Sequence, residues 1–340
     1  MDIAAELPPG AVLDALEADD LVAATDRISS WLSRGASIAD VIDGVIAPVL
    51  VEVGRRWHAR QWTVARERGA TATIDAALAA IEARFPTRPT PGRGQVVVAC
   101  AEGEWHSLPA RLASVRLRAA GHDVVFLGPS LRPRHIAEHL QRIEAVALGV
   151  SCTLPANLIA TRRCIEAAHA IGVPVIVGGA AFEGSTNRAE SVGADASWAV
   201  DDVDAFLCAP RMRGFATKSS TRMRREATDL EISLDGVVGA AMVEIALRHP
   251  PLANLDRLST AKMEERLARL VQSIAAAIDL AEPAILTDFL AWAQIGLEAR
   301  GMPDVLVLAL DSVQHVVQPA YPRATVLVRR AAGALREGRH

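Results

Sequence analysis

The sequence predicts an α/β protein in three parts: a helical bundle, a doubly wound parallel sheet and a C-terminal α-helical domain. Apolar residues recur at three- and four-residue spacing in residues 11–85, which is typical of amphipathic helices. In residues 96–210 short apolar runs alternate with amphipathic segments, and in residues 211–340 the helical spacing returns. Of the 340 residues 51% are hydrophobic and 22% are charged, so the chain is long and apolar enough for two or three folded domains.

The first part consists of helical segments that stop at glycine or proline. The stretch AVLDALEADDLVAATDRISSWLSRG ends at Gly35, and SIADVIDGVIAPVLVEVGRRWHARQW restarts at Ser37, a suitable N-cap. We expect Pro48 to kink or break this second stretch. The pattern predicts four or five helices packed as a bundle over residues 1–86, followed by a Pro- and Gly-rich linker over 87–94.

The middle part, residues 95–210, contains five short runs rich in β-branched residues. In chain order they are VVVAC, VVFLG, AVALGVS, VPVIVGG and SWAV. Runs this apolar are typical of parallel strands that are buried on both faces. Because amphipathic segments separate them, they predict a flavodoxin-like (Rossmann-like) sheet with the strand order 2-1-3-4-5.

The last part, residues 211–340, opens with the basic stretch Arg211 to Arg225 and continues with about five amphipathic segments. Proline and glycine separate these segments at RHPPLAN, AEP, RGMP and QPAYP. The pattern predicts an independent α-helical domain, joined to the sheet by a basic connector that is either solvated or binds propionates or phosphates.

Composition limits the function classes. A net charge of −4 and a pI near 6.2 give no reason to expect nucleic-acid binding. No apolar run reaches the roughly 18 residues of a membrane span, and the first residues lack a secretory signal. The four cysteines lack the spacing of disulfides or metal sites. We therefore expect a cytoplasmic protein with reduced thiols and no membrane partner.

Histidine, serine and glycine follow three of the predicted strands. His106 lies in the loop after the first strand, two residues after Glu104; Ser151 ends the third strand, and Gly178 with Gly179 ends the fourth. The carboxyl ends of parallel strands meet at one edge, where α/β sheets bind ligands. A lone histidine there is equally compatible with a loop that binds nothing. The convergence of the three elements favours a ligand site.

This edge resembles a known signature. The segments EWHSLP at 104–109, SCT at 151–153 and GG at 178–179 resemble the D-x-H-x-x-G, S-x-L and G-G motifs of cobalamin-binding domains. The resemblance implies that His106 is the lower axial ligand of cobalt and that Glu104 hydrogen-bonds its other ring nitrogen. It also implies that the nucleotide tail of the cofactor lies in a slot beside the serine and the glycines.

Two positions depart from the signature. Thr153 replaces the leucine, and Pro109 replaces the glycine that allows a close approach at the start of the helix. Proline is nonetheless common in a first helical turn, so we expect the loop to form.

The helical bundle resembles the four-helix cap that covers cobalamin in methyltransferases and in related light-sensing regulators. The light sensors carry Trp, nine residues and then Glu-His; Trp57 and Glu67 keep that spacing, and Arg68 takes the histidine position. The resemblance implies that Trp57 and Glu67 contact the adenosyl group of adenosylcobalamin. Arg68 argues against a photochemical adduct that needs the histidine. The resemblance implies cofactor contacts at Trp57, Glu67, Arg68, Glu104, Trp105, Ser107, Leu108, Ser151, Thr153, Leu154, Gly178 and Gly179.

A cap and a cobalamin domain followed by helices resemble the photocobilins, light sensors that hold adenosylcobalamin together with biliverdin, a linear tetrapyrrole. The resemblance implies a photoreceptor that is not an enzyme, with biliverdin in or beside the C-terminal helices. Residues 211–340 contain no cysteine, which argues against a thioether-linked bilin there. The candidate residues for this second chromophore are His249, Phe289, Trp292, His315 and Tyr321.

Two other functions fit the same motifs. One is a corrinoid methyl-carrier or cobalamin enzyme subunit that acts with a methyl-donor partner. The other is a regulator that senses cobalamin in the dark, with the C-terminal helices as an interaction module. A radical mutase would need a barrel that the pattern does not predict. We expect no DNA reader ahead of the cap, so the output of a light sensor would be a protein partner or a change within a homo-oligomer.

Overall fold

The computed structural model describes seven stretches of the chain, which are 9–183, 187–198, 203–208, 221–250, 252, 255–302 and 304–337. The chain divides into two compact units, each made of three segments. The first is Met1–Ser151, Ala167–Gly179 and Trp198–Met212, and the second is Cys152–Glu166, Ala180–Ser197 and Arg213–His340. No helix of the described residues is both long enough and apolar enough to cross a membrane.

The first unit begins with a helical bundle, as predicted. Its elements are α1 (Pro9–Glu17), α2 (Leu21–Ser33), α3 (Ile38–Val41), a π-helical turn (Ile42–Ile46), α4 (Ala47–His58) and α5 (Val64–Arg84). Side chains cap three of these helices: Asp20 caps α2, Ser37 caps α3 in a capping box with Asp40, and Thr63 caps α5.

Pro48 does not break the helix, so a break, one of the two effects that we expected, is wrong, and a kink stays a prediction. It is the second residue of α4, and the π-helical turn joins α3 to α4 without interruption. In that turn the N–H of Ala47 donates to the carbonyl of Ile42, so the hydrogen-bond spacing widens just ahead of the proline. The wider turn accommodates a residue that has no N–H to donate.

The core of the bundle includes the helix that follows His106. Leu108, Leu112 and Val115 of α6 (Leu108–Ala119) belong to the same buried cluster as bundle residues such as Ile46 and Ile74. Charged side chains reinforce this contact at its rim. Arg118 donates to Glu82 at 2.8 Å, Arg111 pairs with the same carboxylate, and Arg116 lies 2.8 Å from Asp43.

The sheet has the predicted strand order. Its strands, β1 (Gln95–Cys100), β2 (Asp123–Gly128), β3 (Ala147–Ser151), β4 (Val175–Gly178) and β5 (Ala196–Ser197), are arranged β2-β1-β3-β4-β5. The pairs β1–β2, β1–β3 and β3–β4 are parallel. The other helices of this region are α7 (Pro133–Arg142), α8 (Leu158–His169), α9 (Arg188–Val192) and α10 (Val203–Cys208). Val97, Leu148 and Ile176 are fully buried, as expected for strands covered on both faces.

The described part of the second unit contains six further α-helices. They are α11 (Thr221–Ile232), α12 (Leu234–Arg248), α13 (Arg257–Asp279), α14 (Ala284–Glu298), α15 (Asp304–Val317) and α16 (Pro322–Glu337). Helix α13 is central, because it contacts α11, α12, α14 and α16. Its last residue, Asp279, is buried and accepts a hydrogen bond from Arg162 at 2.7 Å.

The predicted boundary at 210/211 and the connector residues 211–220 lie outside the described residues. The rest of the basic stretch, Thr221 to Arg225, forms the first turns of α11. The boundaries at 86/87 and 94/95 stay predictions.

Removing the carboxylate of Glu226 is expected to destabilise the second unit. This buried group accepts hydrogen bonds from the backbone N–H groups of Arg323 and Ala324, at the start of α16, and from the Arg323 guanidinium. Glu226→Ala should lower the free energy of unfolding by about 2 kcal/mol, because it leaves buried donors without an acceptor. Urea denaturation followed by circular dichroism measures this, with Asp229→Ala on the exposed face of α11 as the control. Equal effects of the two changes would contradict the assignment.

Candidate functional site

His106 and Glu104 form a hydrogen-bonded pair in the loop between β1 and α6. Oε1 of Glu104 lies 2.6 Å from Nδ1 of His106 and accepts the His106 backbone N–H at 2.9 Å. The Glu104 side chain is fully buried, whereas that of His106 is 50% exposed. An ionised carboxylate only accepts hydrogen bonds, so the pair favours the imidazole proton on Nδ1 and the lone pair on Nε2. A histidine held in this way is suited to ligating a metal.

Hydrogen bonds fix the loop that carries this pair. Gly103 has a φ of 82°, and its N–H donates to the hydroxyl of Ser130 at 3.1 Å. The N–H of Ser130 donates in turn to the carbonyl of Glu104 at 3.0 Å. Burial, reinforced by the Glu104 charge, raises the pKa of the Cys100 thiol to about 12. Cys100 therefore stays protonated while no metal is bound, whereas Nε2 of His106 offers an unshared lone pair.

The other predicted loop residues point in different directions. Trp105 is 71% exposed, whereas Leu108 is buried in the core shared with the bundle. The Ser107 side chain makes no capping bond to α6, and Pro109 is the second residue of that helix. The proline thus occupies the position where it is tolerated, as the sequence predicts.

Ser151 and Gly178 lie in register at the carboxyl edge of the sheet. Cys100 pairs with Ser151 across β1 and β3, and Ser151 pairs with Gly178 across β3 and β4. Gly149 precedes Ser151 by two residues, so it faces the same side of the sheet. The buried hydroxyl of Ser151 has no hydrogen-bond partner among the described residues. Gly179 has a φ of 100°, a backbone conformation that favours glycine.

The indole of Trp198 lies against this surface. A Cβ atom on Gly178 would lie 2.9 Å from Cβ of Trp198, and one on Gly149 would lie 3.5 Å from its Cζ3. The Trp198 N–H donates to the carbonyl of Val177 at 2.8 Å, which fixes the backbone beside β4. We call Gly149, Ser151, Gly178 and Trp198 the glycine face.

Sequence reasoning did not identify Trp198 as a site residue. It placed this tryptophan inside the last predicted strand, SWAV, whereas β5 ends at Ser197 and Trp198 follows it. The usable signal was its position at the carboxyl end of a strand, the same position that singled out His106 and Ser151.

Trp57 and Glu67 lie at neighbouring ends of consecutive helices. Trp57 is in the last turn of α4 and Glu67 in the first turn of α5; both are half-buried, and Arg68 beside them is exposed. Thr71 donates from its hydroxyl to the Glu67 carbonyl at 2.5 Å and lies 3.4 Å from the Glu67 carboxylate. Both predicted cap residues therefore belong to the short region around the α4–α5 turn.

The α4–α5 turn is held by a buried tryptophan. Trp62 is 6% exposed, and the guanidinium groups of Arg56 and Arg66 lie 5.5 and 5.0 Å from its ring centre. Both arginines also bond to Glu17 of α1, Arg56 through the carboxylate and Arg66 through the backbone carbonyl. Trp62 packs in the core and restrains the turn between Trp57 and Glu67.

Thr153 and Leu154 belong to the second unit, where they line a pocket of about 260 Å³. Phe289 and Trp292, two of the residues predicted for a second chromophore, line the same pocket, with their ring centres 6.1 Å apart. Arg188 in its wall is buried and binds Asp288 at 2.7 Å and Glu282 at 3.0 Å. The pocket therefore combines aromatic rings with an arginine whose charge is already neutralised.

The other three residues predicted for the second chromophore do not join this pocket. His249 follows the end of α12 and is exposed, His315 is exposed near the end of α15, and Tyr321 is half-buried before α16. Nothing in the described residues gathers all five candidates into one site.

Two family models match the chain. Residues 94–207 match a family described as a B12 binding domain, and residues 11–82 match a second family with the same description. The first range contains His106 and the glycine face, and the second contains Trp57 and Glu67. The two matches therefore cover the loop pair, the sheet edge and the α4–α5 turn.

Several curated proteins are similar to this chain. A corrinoid protein of Desulfitobacterium hafniense is 25% identical over 222 residues, covering 63% of this chain and 91% of that protein. The dimethylamine corrinoid protein of Methanosarcina barkeri is 25% identical over 162 residues, 46% of this chain and 75% of that protein. The HTH-type transcriptional repressor CarH of Myxococcus xanthus is 29% identical over 142 residues, 41% of this chain and 46% of the repressor.

Among solved structures, the monomethylamine corrinoid protein of Methanosarcina barkeri matches with a TM-score of 0.48 and 19% identity. The match covers 55% of this chain and 89% of that chain.

Proposed function

We propose that this protein, a cobalamin-binding protein by its family matches over residues 11–82 and 94–207, is a light sensor that holds adenosylcobalamin. The observation that carries the proposal is the α4–α5 turn, which brings Trp57 and Glu67 to the neighbouring ends of two helices in the same compact unit as the histidine loop. The protein would be a photoreceptor and not an enzyme.

The residues at the sheet edge fit a corrinoid bound through a histidine. Nε2 of His106 would ligate cobalt, while buried Glu104 holds the proton on Nδ1 and keeps the ring oriented. The unpartnered hydroxyl of Ser151 would gain a hydrogen bond from the nucleotide base, a gain for a buried polar atom. Gly149 and Gly178 leave room for a flat ring on the glycine face, once Trp198 has moved aside.

The bundle residues fit the adenosyl form of the cofactor. The Trp57 ring would pack on the adenosyl group, and the Glu67 carboxylate would hydrogen-bond its ribose. When bound, adenosylcobalamin supplies a weak cobalt–carbon bond that breaks on absorption of visible light. Trp57 and Glu67 would then lose their contacts, so light would shift the population between two positions of the bundle.

A second chromophore, biliverdin, belongs to the same proposal. The pair of Phe289 and Trp292 offers aromatic surface in the 260 Å³ pocket that Thr153 and Leu154 also line. This volume is below the range of roughly 300–1,000 Å³ that is usual for pockets of small molecules. The two rings would therefore contact only part of a tetrapyrrole. The output would be a protein partner or a change in a homo-oligomer.

The similarity to corrinoid proteins favours a second candidate function, a corrinoid methyl carrier. The alignment with the Desulfitobacterium hafniense protein spans 222 residues and covers 91% of that protein. A carrier would use the same His106 and glycine face, and it would hand a methyl group to a partner instead of responding to light. The two functions differ in the upper ligand that Trp57 and Glu67 have to accommodate.

The test compares three upper ligands on the same protein. Full-length chain is loaded with adenosyl-, methyl- or hydroxocobalamin, with and without biliverdin, and its absorption is recorded in the dark and after green light. Hydrogen exchange of α4 and α5 and the mass from light scattering are measured on the same samples.

Glu67→Ala should weaken adenosylcobalamin binding at least tenfold and leave hydroxocobalamin binding unchanged. Glu264→Ala, on the exposed face of α13, is the matched control.

Each outcome decides between the functions. Faster exchange in α4 and α5 after light, in the adenosyl form alone, supports the light sensor, and a red absorption band supports biliverdin. Equal affinity for the methyl and adenosyl forms without a light response favours the carrier. If cobalamin loading changes the hydrogen exchange or the mass, and light does not alter that change, the result favours a dark regulator. Absence of any bound corrinoid contradicts the assignment of His106.

A further inference from the structure

A cavity of the second unit is lined by residues other than those predicted for the chromophore. Its volume is about 740 Å³, within the usual range for small-molecule sites, and α11, α13, α14 and α16 form its walls. None of the five chromophore candidates lines it, and all of its lining residues belong to the second unit.

The walls of this cavity are mostly apolar. Ile278, Leu286 and Leu327 supply branched side chains, and alanines such as Ala277 and Ala331 supply the concave surface between them. Val326 of α16 also lines the cavity and is 48% exposed. When the apolar body of a ligand covers an open apolar surface of this kind, the burial of that surface favours binding.

The charges at the cavity are all of one sign. Arg222, Arg323 and Arg330 line it, and no aspartate or glutamate is among its described lining residues. Arg323 is already neutralised, because its guanidinium lies 3.1 Å from the carboxylate of buried Glu226. Arg222 and Arg330 are exposed and make no ion pair with any residue in the described stretches. Two positive charges therefore border the cavity without an ion-pair partner in the described part of the chain.

We infer that this cavity binds an amphipathic carboxylate, with its apolar body on the α13–α14–α16 walls and its carboxylate at Arg222 and Arg330. Guanidinium groups bind carboxylates through charge-assisted, two-point hydrogen bonds, and the apolar walls discriminate against small anions. Two sources share this chemistry, a long-chain fatty acid and a linear tetrapyrrole with propionate groups. The inference does not depend on cobalamin binding. Its tetrapyrrole arm does bear on the proposed function, because biliverdin bound here would lie in this cavity instead of beside Phe289 and Trp292.

The experiment uses the full-length chain without cobalamin and two probes. One is a fatty acid with a dansyl fluorophore, together with its alcohol analogue, and the other is biliverdin, followed by its absorption. The test variant is Arg222→Glu with Arg330→Glu. Arg329→Glu is the matched control, because Arg329 is an exposed neighbour on α16 that does not line the cavity. Ala334→Trp fills the cavity from an exposed position and leaves the charges in place.

We expect the acid to bind at least tenfold more tightly than its alcohol analogue. The double charge reversal should weaken binding at least tenfold, Ala334→Trp should also weaken it, and Arg329→Glu should change it less than twofold. The probe that shows this pattern identifies the ligand as a fatty acid or as a linear tetrapyrrole. Equal binding of acid and alcohol, equal effects of Arg329→Glu and Arg330→Glu, or no binding of either probe would overturn the inference. A fall in mass to the monomer on charge reversal, without probe binding, would overturn it in favour of an interface between two copies of the chain.

Discussion

Replacing His106 with alanine is expected to weaken cobalamin binding at least a hundredfold, because it removes the imidazole nitrogen that the β1–α6 loop offers to cobalt. The half-exposed imidazole carries the free lone pair of the loop, and the Cys100 thiol beneath it stays protonated. Isothermal titration with hydroxocobalamin measures the affinity. Electron paramagnetic resonance of the reduced Co(II) form, with ¹⁵N-labelled histidine, shows directly whether a histidine nitrogen is bound to cobalt.

Two further variants separate ligation from orientation. Glu104→Gln keeps the size of the buried side chain but loses its charge, and it should weaken binding by roughly 10- to 100-fold with the nitrogen coupling retained. His135→Ala, which removes an exposed histidine of α7, should have no effect. Unchanged affinity in His106→Ala, or a coupling that survives it, would show that the cofactor is not held through this loop.

Adding a single methyl group at Gly178 is expected to block the same site from the sheet side. A Cβ there would lie 2.9 Å from Cβ of Trp198, closer than such atoms approach in proteins, so the backbone or the tryptophan must shift. Gly178→Ala should lower the free energy of unfolding by about 1–2 kcal/mol through overpacking and weaken cobalamin binding at least tenfold. Chemical denaturation and titration measure the two effects on the same sample.

A pair of controls distinguishes the steric effect on folding from the effect on the ligand. Gly149→Ala adds a methyl group to the same face at ordinary contact distances, 3.4 Å from Val98 and 3.5 Å from Trp198, and should be nearly neutral for stability. Combining Gly178→Ala with Trp198→Gly removes the Cβ atom of the clash, so the two changes together should cost less stability than the sum of their separate effects, whereas affinity should stay low. Normal binding by Gly178→Ala would show that the nucleotide base does not lie on the glycine face.

The strand order and the clustering of site residues at one edge were predictable because both follow from local patterns. Apolar runs locate buried parallel strands, and the carboxyl ends of such strands must meet, so His106, Ser151 and Gly178 could be grouped from their positions alone. The hydrogen bond between Glu104 and His106 was also accessible, since two residues in one short loop are necessarily close.

Trp198 and the cavity beside Arg330 were not accessible in the same way. The position of the Trp198 ring depends on how the chain leaves a strand of two residues and crosses β4, which no local pattern specifies. The cavity depends on four helices from distant parts of the sequence and on small residues such as Ala331 that carry no signal by themselves. Aromatic and histidine residues drew attention to His315 and Tyr321, although pocket walls are more often built from aliphatic side chains.

The packing of α6 has a consequence for how this protein can be divided. The linker at 87–94 suggests a clean cut between two modules, and two separate families match on either side of it. Yet Leu108, Leu112 and Val115 complete the core of the bundle from beyond that linker. A fragment starting at residue 95 would present this apolar stripe to water on the helix that follows His106, and the bundle alone would lack one wall. In gene fusion or domain exchange, the bundle and the sheet therefore have to be moved as one piece.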